Sequence, residues 1–397
     1  MPATILFSED LYLEGLHMFS LEPGLGVTLQ QVSGAGTQGD ILGLVFQAIF
    51  IALFLFSILY GQKFQIWVML RNVEIGLHKI KRMRDEARQT IIETLKVLSN
   101  KPGLEAEVDR LLEYFWIEPT SLDPFGIVGK IEHILDTREE RLRWEIKSLV
   151  PGVDDARLRN LEGLLEAGSS LDRMYRVIRH YYLLGKKTMS LFVIYQADAI
   201  LPMVLQEAKA LSAAVKAFRD GQPIGDGAGS LVAARFMYGA EKRVIAEDTV
   251  MAEVEVDNRR LIVVKALGPG GNVGKPGEAV EKILGSRGDV TAIIMVDAAL
   301  KLEGEKVGEV AEGVGAAIGG IGVEKFKIEE VAKRFRVPLY AVAIKESLYD
   351  AISPMRREIY VGVEKAVERV RRLIREKTKI GDTILLAGIG NTLGIGQ

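Results

Sequence analysis

The 397-residue chain contains no cysteine and only four histidines. Without cysteine there is no disulfide framework, no thiolate metal site and no sulfur nucleophile. His17, His78, His133 and His180 all lie in the first half. Chemistry in the second half must work without imidazole, which excludes Ser-His-Asp hydrolysis and histidine-ligated metals there. An excess of either charge is missing too: 51 Lys and Arg against 53 Asp and Glu leave a net charge of −2. No global field draws in nucleic acid, which is therefore not an expected partner. Residues 1–40 lack Lys and Arg altogether, while carrying Glu9, Asp10, Glu14, Glu22 and Asp40.

Charge is also absent from residues 41–60, ILGLVFQAIFIALFLFSILY, where fourteen of twenty are Ile, Leu, Val or Phe. A helix of that length rises ~30 Å, the thickness of a hydrocarbon core. At roughly −0.3 to −0.6 kcal/mol per apolar residue, its insertion is favoured by ~4–8 kcal/mol. Seven basic residues follow in 61–90: Lys63, Arg71, Lys79, Lys81, Arg82, Arg84 and Arg88. The asymmetry predicts a single-pass cell-membrane protein with an extracytoplasmic tail (1–40), a transmembrane helix (41–60) and everything after it in the cytoplasm. No basic segment precedes the apolar run, so it reads as an anchor rather than a cleaved signal.

Residues 61–220 read as a helical stalk leading into an all-α domain. Ile66, Leu70, Val73, Leu77, Ile80, Ala87, Ile91 and Leu98 recur in a 3.5-residue rhythm, which suits either a coiled-coil seam or a helix packed on its own chain. Breaks are expected at Asn100-Lys101-Pro102-Gly103, between Pro119 and Pro124, at Pro151–Asp154 and at Ala167–Ser170. The apolar run Thr188–Gln206 carries Gln196, Asp198 and Pro202 near its middle. These disfavour a second span, so a buried helix at a domain or subunit interface is expected.

Gly221–Gly229 has the composition of a linker. Beyond it, 221–397 reads as an α/β domain: a mainly parallel sheet with helices on both faces. A hairpin around Asp257-Asn258, a helix from Pro276, a strand Thr291–Val296, helices near Lys306–Ile318 and Ile328–Phe335, a strand Leu339–Ile344, a helix Met355–Lys377 and a strand Thr383–Ala387 are expected. Ligands of such sheets bind beyond the carboxyl ends of the strands. The candidates there are the glycine loop with Gly268, Gly270, Gly271 and Lys275, then Asp297, Lys345, and the terminal Gly390, Asn391 and Thr392. Glycine N–H groups and Lys275 suggest an anion cradle before a helix N-terminus. The loop matches neither the Walker A nor the dinucleotide spacing, so tight strand-to-helix packing is an equal explanation. The nine basic and four acidic residues of Met355–Lys379 lack interleaved aromatics and read as a solvated or membrane-facing surface.

Two stretches, Ala311-Glu-Gly-Val-Gly-Ala-Ala-Ile-Gly-Gly320 and Gly388-Ile-Gly-Asn-Thr392, resemble an archaeal family of uncharacterised single-pass membrane proteins, a domain-of-unknown-function family. The likeness covers nearly the whole chain after the tail. It implies an archaeal source and a membrane location, and it brings no established activity. The expectation is a membrane-anchored homo-oligomeric scaffold or sensor, open to protein partners through its helical domain, whose α/β domain binds an anionic small molecule. The alternative is an enzyme for phosphoryl or nucleotide chemistry. In that case Asp297 would hold Mg²⁺, Lys275 and Lys345 would neutralise phosphate, and Asn391 and Thr392 would position the substrate.

Overall fold

The computed structural model describes residues 39–113, 127–315 and 323–396. Residues 1–38 of the tail, the turn between Pro119 and Pro124 and residues 316–320 of the first resembling stretch lie outside the described residues. Five helices come first: α1 (Gly39–Leu98), α2 (Leu104–Leu112), α3 (Ile127–Leu149), α4 (Asp155–Thr188) and α5 (Leu191–Asp220). The second half holds α6 (Ala228–Met237), β1 (Lys242–Ala246), β2 (Thr249–Val256), β3 (Arg259–Ala266), α7 (Pro276–Ser286), β4 (Val290–Leu300) and β5 (Val310–Val314). It continues with α8 (Val323–Phe335), β6 (Leu339–Glu346), α9 (Leu348–Ile352), α10 (Arg357–Lys377) and β7 (Thr383–Gly388). Internal contacts divide the chain into two units. One joins the residues up to Ile75 with Ile178–Leu201, and the other joins Gly76–Val177 with Pro202–Gln397.

The stalk rhythm is used within the chain itself. In the first unit Ile66 and Val73 are buried, and Leu70 lies beside Gly185 of α4. In the second, Ile80, Ala87 and Ile91 are buried, with Ile91 packed over Gly168 of α4. Partners on α4 thus take the place of an intermolecular seam. The same packing explains why α4 runs unbroken through Ala167–Ser170, where a break was expected. Gly168 lets Ile91 and Leu112 approach, and the Ser169 hydroxyl donates to the Leu112 carbonyl at 3.2 Å instead of capping a new helix. The expected break at Pro151–Asp154 is present, with Asp154 Oδ1 accepting the Arg157 N–H at 2.9 Å.

The sheet has seven strands in the order β1-β2-β3-β7-β4-β6-β5. It is mixed rather than mainly parallel. The β3–β7, β7–β4 and β4–β6 pairs are parallel, whereas β1–β2, β2–β3 and β6–β5 are antiparallel. The β2–β3 hairpin turns on Asp257 and Asn258, both at positive φ (50° and 60°), the backbone of a two-residue turn that suits strand twist. Residues 310–314, expected to be helical, form the edge strand β5. Gly308 at φ 77° and Gly315 at φ 96° bracket it, and Gly313 within it disfavours a helix.

Apolar residues cover both faces of the sheet. Ile359, Val363, Ala366, Val370 and Leu373 of α10 recur every three or four residues and, with α6, bury one face. Each fully buried Val, Leu or Ile there contributes about 1.5–3 kcal/mol. Helices α7 and α8 cover the other face through Ala279, Ile283, Ile328 and Val331. Gly221–Gly229 is not a free linker: Ile224 is buried and bridges to Pro354, and the Met355 N–H donates to the Pro223 carbonyl at 2.7 Å.

Candidate functional site

Strand β4 leads toward α8 on one face, while β6 leads through α9 to α10 on the other. Between adjacent parallel strands whose connections part in this way lies the crevice where open α/β sheets bind ligands. Two structures stand at this edge of the sheet.

The first is the glycine loop, zipped to the terminal segment. Thr392 is fully buried, and its hydroxyl sits among the carbonyls of Leu267, Gly270 and Asn272 at 3.1, 2.8 and 3.1 Å. The Thr392 N–H donates to Asn272 O, and the Gly394 N–H to Pro269 O, each at 2.9 Å. Side chains at Gly268 and Gly390 would strike the Ile395 and Asp226 carbonyls. Gly270 rests on Ala156 and Arg159 of α4, and Gly271 on the ring of Phe218. Three N–H groups of the loop and the helix start after it face protein acceptors rather than an anion. Gly271 donates to Asn160 Oδ1 at 2.9 Å, Lys275 to Thr249 Oγ1 at 2.6 Å, and Gly277 to Glu324 Oε2 at 2.7 Å. The Lys275 ammonium pairs with Asp136 at 2.5 Å. Asn391 Oδ1 accepts the Leu393 N–H, and the Asn391 N–H donates to Asp226 Oδ2, both at 2.9 Å.

The second is an acidic crevice. Asp226 lies in the turn Gly225–Gly227, Asp297 near the end of β4, Glu346 at the end of β6, and Asp350 in the first turn of α9. Asp297 is buried and ion-paired with Lys325 of α8. Burial outweighs that lysine, and Asp226 adds repulsion, so the Asp297 carboxyl is pushed up to about 6. Asp350 is satisfied by a capping box with Ser347 and by Arg356 at 3.3 Å. Glu346 is 1% exposed, and neither carboxylate oxygen has a hydrogen-bond partner. Burial, then Asp226, Asp350 and Asp297, raise its carboxyl well above the ordinary value. It lies against Gly225, where a side chain would collide with Glu346 and with the Asp350 carbonyl.

Of the residues singled out in the sequence, Gly268, Gly270, Gly271, Gly390, Asn391 and Thr392 come together. Asp297 is repelled by Asp226, whose carboxylate accepts the Asn391 N–H. Lys275 and Lys345 are turned to other partners, since Lys345 pairs with Glu305. Glu346 and Asp226 were not among the expected site residues. Glu346 continues the alternation of buried Val342 and Ile344, a signal readable in the strand. Asp226 is flagged only by its flanking glycines. Among the described residues no three carboxylate or imidazole groups stand close enough to cage a metal ion. Beside this edge a groove of about 400 Å³ is lined by Lys306, Arg357 and Lys365 together with Glu309 and Glu358.

These features define a helical block joined to a mixed α/β domain with an acidic crevice at its strand ends. Two family models match: the N-terminal domain of a protein of unknown function (DUF1512) over residues 47–221, and the DUF1512 C-terminal domain over 224–396. Together they span nearly the whole chain, which belongs to this family. No curated protein and no solved structure matches the chain.

Proposed function

We propose that the chain is a membrane-anchored ligand-binding protein. In this reading residues 41–60 span the membrane, and the α/β domain works on the cytoplasmic side as a sensor or scaffold in a homo-oligomer. The observation that carries the binding role is Glu346. A buried carboxyl with both oxygens unpartnered, in the field of Asp226, Asp350 and Asp297, suits a cationic ligand. The anchor is supported by Leu44, Phe46, Phe50 and Leu53, each 63–70% exposed on α1. Among the described residues one helix, Leu191–Asp220, is long and apolar enough to cross a membrane, and Gly43–Leu55 with Tyr60–Leu98 qualifies as a bent pair. Since α5 buries Ile194, Ala197, Leu201 and Val204, we assign the crossing to the earlier segment.

The basic groove beside the crevice favours one second reading, a Mg²⁺-dependent phosphoryl-transfer or nucleotide-processing enzyme. Carboxylates would hold the ion, and Lys306, Arg357 and Lys365 would meet phosphate.

The test is thermal unfolding of the detergent-solubilised full chain with Mg²⁺ or Mn²⁺, alone and with nucleotides. Wild type should be stabilised, and Glu346→Gln should respond much less. Equal responses would remove the crevice as the site. Turnover of the nucleotide in the same samples would favour the enzyme.

A further inference from the structure

Helices α4 and α5 meet at Met189, whose φ of 53° reverses the chain. This hairpin tip belongs to the same unit as α1 up to Ile75. It exposes Leu183, Met189, Phe192 and Tyr195, at 45, 49, 68 and 59%. Exposed Lys186 and Lys187 stand among them. Facing the same level on α1 are exposed Phe64 and Trp67, with Arg71 over the Trp67 ring at 5.5 Å and Lys63 over Tyr60 at 6.0 Å. A folded surface seldom leaves this many large apolar and aromatic side chains in water together. Aromatics interleaved with lysine and arginine are the composition of a membrane–water interface.

The position of the tip can be reckoned from helix geometry. Tyr182 donates to Glu74 at 2.9 Å and Gly185 lies beside Leu70, so α4 runs antiparallel to α1. Continuing that register sets Met189 level with Ile66–Trp67, six or seven residues beyond Tyr60. At 1.5 Å per residue this is ~10 Å past the apolar run. Gly43–Leu55 and Tyr60–Leu98 meet at 56°, so beneath an upright span the distance along the membrane normal falls to ~6 Å. The polar headgroup layer on each side of a bilayer is ~5–8 Å thick.

We infer that the α4–α5 tip is a second membrane contact, with Met189 and Phe192 lying in the headgroup layer of the leaflet that α1 leaves and Lys186 and Lys187 meeting its anionic lipids. The inference rests on the reading of 41–60 as a span. Such a contact fixes this unit against the bilayer without a second crossing, and it accounts for an apolar run that also carries Asp198 and Pro202. The lysines fit the negative surface potential of a cytoplasmic leaflet.

The native chain has no cysteine, so single cysteines can carry a fluorophore in full-length protein reconstituted into vesicles containing phosphatidylglycerol. Positions 50, 97, 189 and 192 are compared, Val97 being an 80% exposed residue of α1 that belongs to the other unit. Lipids spin-labelled near the headgroup should quench 189 and 192 at least ~2-fold more than 97, as expected for an interfacial segment. Lipids labelled at the end of the acyl chain should quench only 50. Quenching at 50 without quenching at 192 would overturn the tip contact and leave the span standing. No quenching at 50 would remove the span itself. Strong quenching of 192 by the deep label would show a second crossing and overturn the inference. Protection of 192 from both lipid labels and aqueous iodide would show a protein cover, also overturning it. The paired change Lys186→Glu and Lys187→Glu should bring shallow quenching at 192 toward the level of 97, and an unchanged signal would remove the lysines from the contact.

Discussion

At one end of the sheet edge, Thr392 has three carbonyls around a single hydroxyl, and the Gly271, Gly277 and Gly394 N–H groups have protein acceptors. A few strands away, Glu346 is equally buried and its two oxygens have no partner. Both regions use glycine, and both lie where α/β sheets bind ligands. The first uses glycine to bring backbone against backbone, and its buried Thr392 hydroxyl is partnered, while Asn272 Oδ1 is left without a hydrogen bond. The second uses Gly225 to bring backbone against a carboxylate whose hydrogen bonds are unmade. Saturated polar groups hold a fold together, and unsaturated buried ones cost stability unless a ligand or proton completes them.

The largest effect that would test this contrast is at Gly390. Its φ of 122° is strained for any other residue, and a side chain would meet the Asp226 carbonyl. Gly390→Val should cost about 3–5 kcal/mol, combining backbone strain with overpacking. Gly381, at φ 88° but with open space around it, is the control: Gly381→Ala should cost only about 1 kcal/mol. Urea midpoints of the solubilised protein would measure both, and equal losses would mean that the seam is not close-packed. Thr392→Val comes next, at about 1–2 kcal/mol, since it strips the hydroxyl from three buried carbonyls.

A smaller effect, with the opposite sense, is expected in the crevice. The Glu346 carboxyl is raised above its ordinary 4.5, so the folded state binds its proton more tightly than the unfolded chain does. That contribution is complete below 4.5 and is lost as pH rises through the folded-state value. Glu346→Gln keeps the shape and removes the titration. It should therefore gain stability over wild type as the pH is raised above about 4.5. Parallel pH–stability curves for the two proteins would show that Glu346 is not held in a desolvated, like-charged site.

How much of this was legible in the residues depends on whether local chemistry or distant neighbours decide. The Asp257-Asn258 turn, the Pro276 helix start and the long helix over Met355–Lys377 are local, and each reads correctly. Gly168 looks like a helix break, but Ile91 and Leu112, which require the small residue there, come from elsewhere in the chain. The segment 310–314 becomes a strand because the edge of β6 offers it hydrogen bonds, which no local periodicity announces. A glycine loop that cradles phosphate and one that packs against a terminal segment look alike in sequence. Only the acceptors opposite the N–H groups tell them apart.

Lys275 supplies the smallest expected effect and the sharpest test of that last distinction. Its ammonium reaches Asp136 at 2.5 Å, with the lysine side chain 19% and the aspartate 43% exposed. Asp136 raises the lysine's pKa against the opposing effect of burial. Screening at such a partly open pair leaves little net stabilisation, so Lys275→Ala should cost under about 1 kcal/mol. The more telling readout is the response to phosphate or nucleotide in thermal unfolding. If the glycine loop is structural, removing Lys275 leaves any ligand-induced rise in Tm unchanged, because that ammonium faces α3. Arg357→Ala, in the groove beside β6, should diminish the rise. The reverse result would return the anion site to the glycine loop, with Lys275 leaving Asp136 for the ligand, and the close-packed region would then be the one that opens.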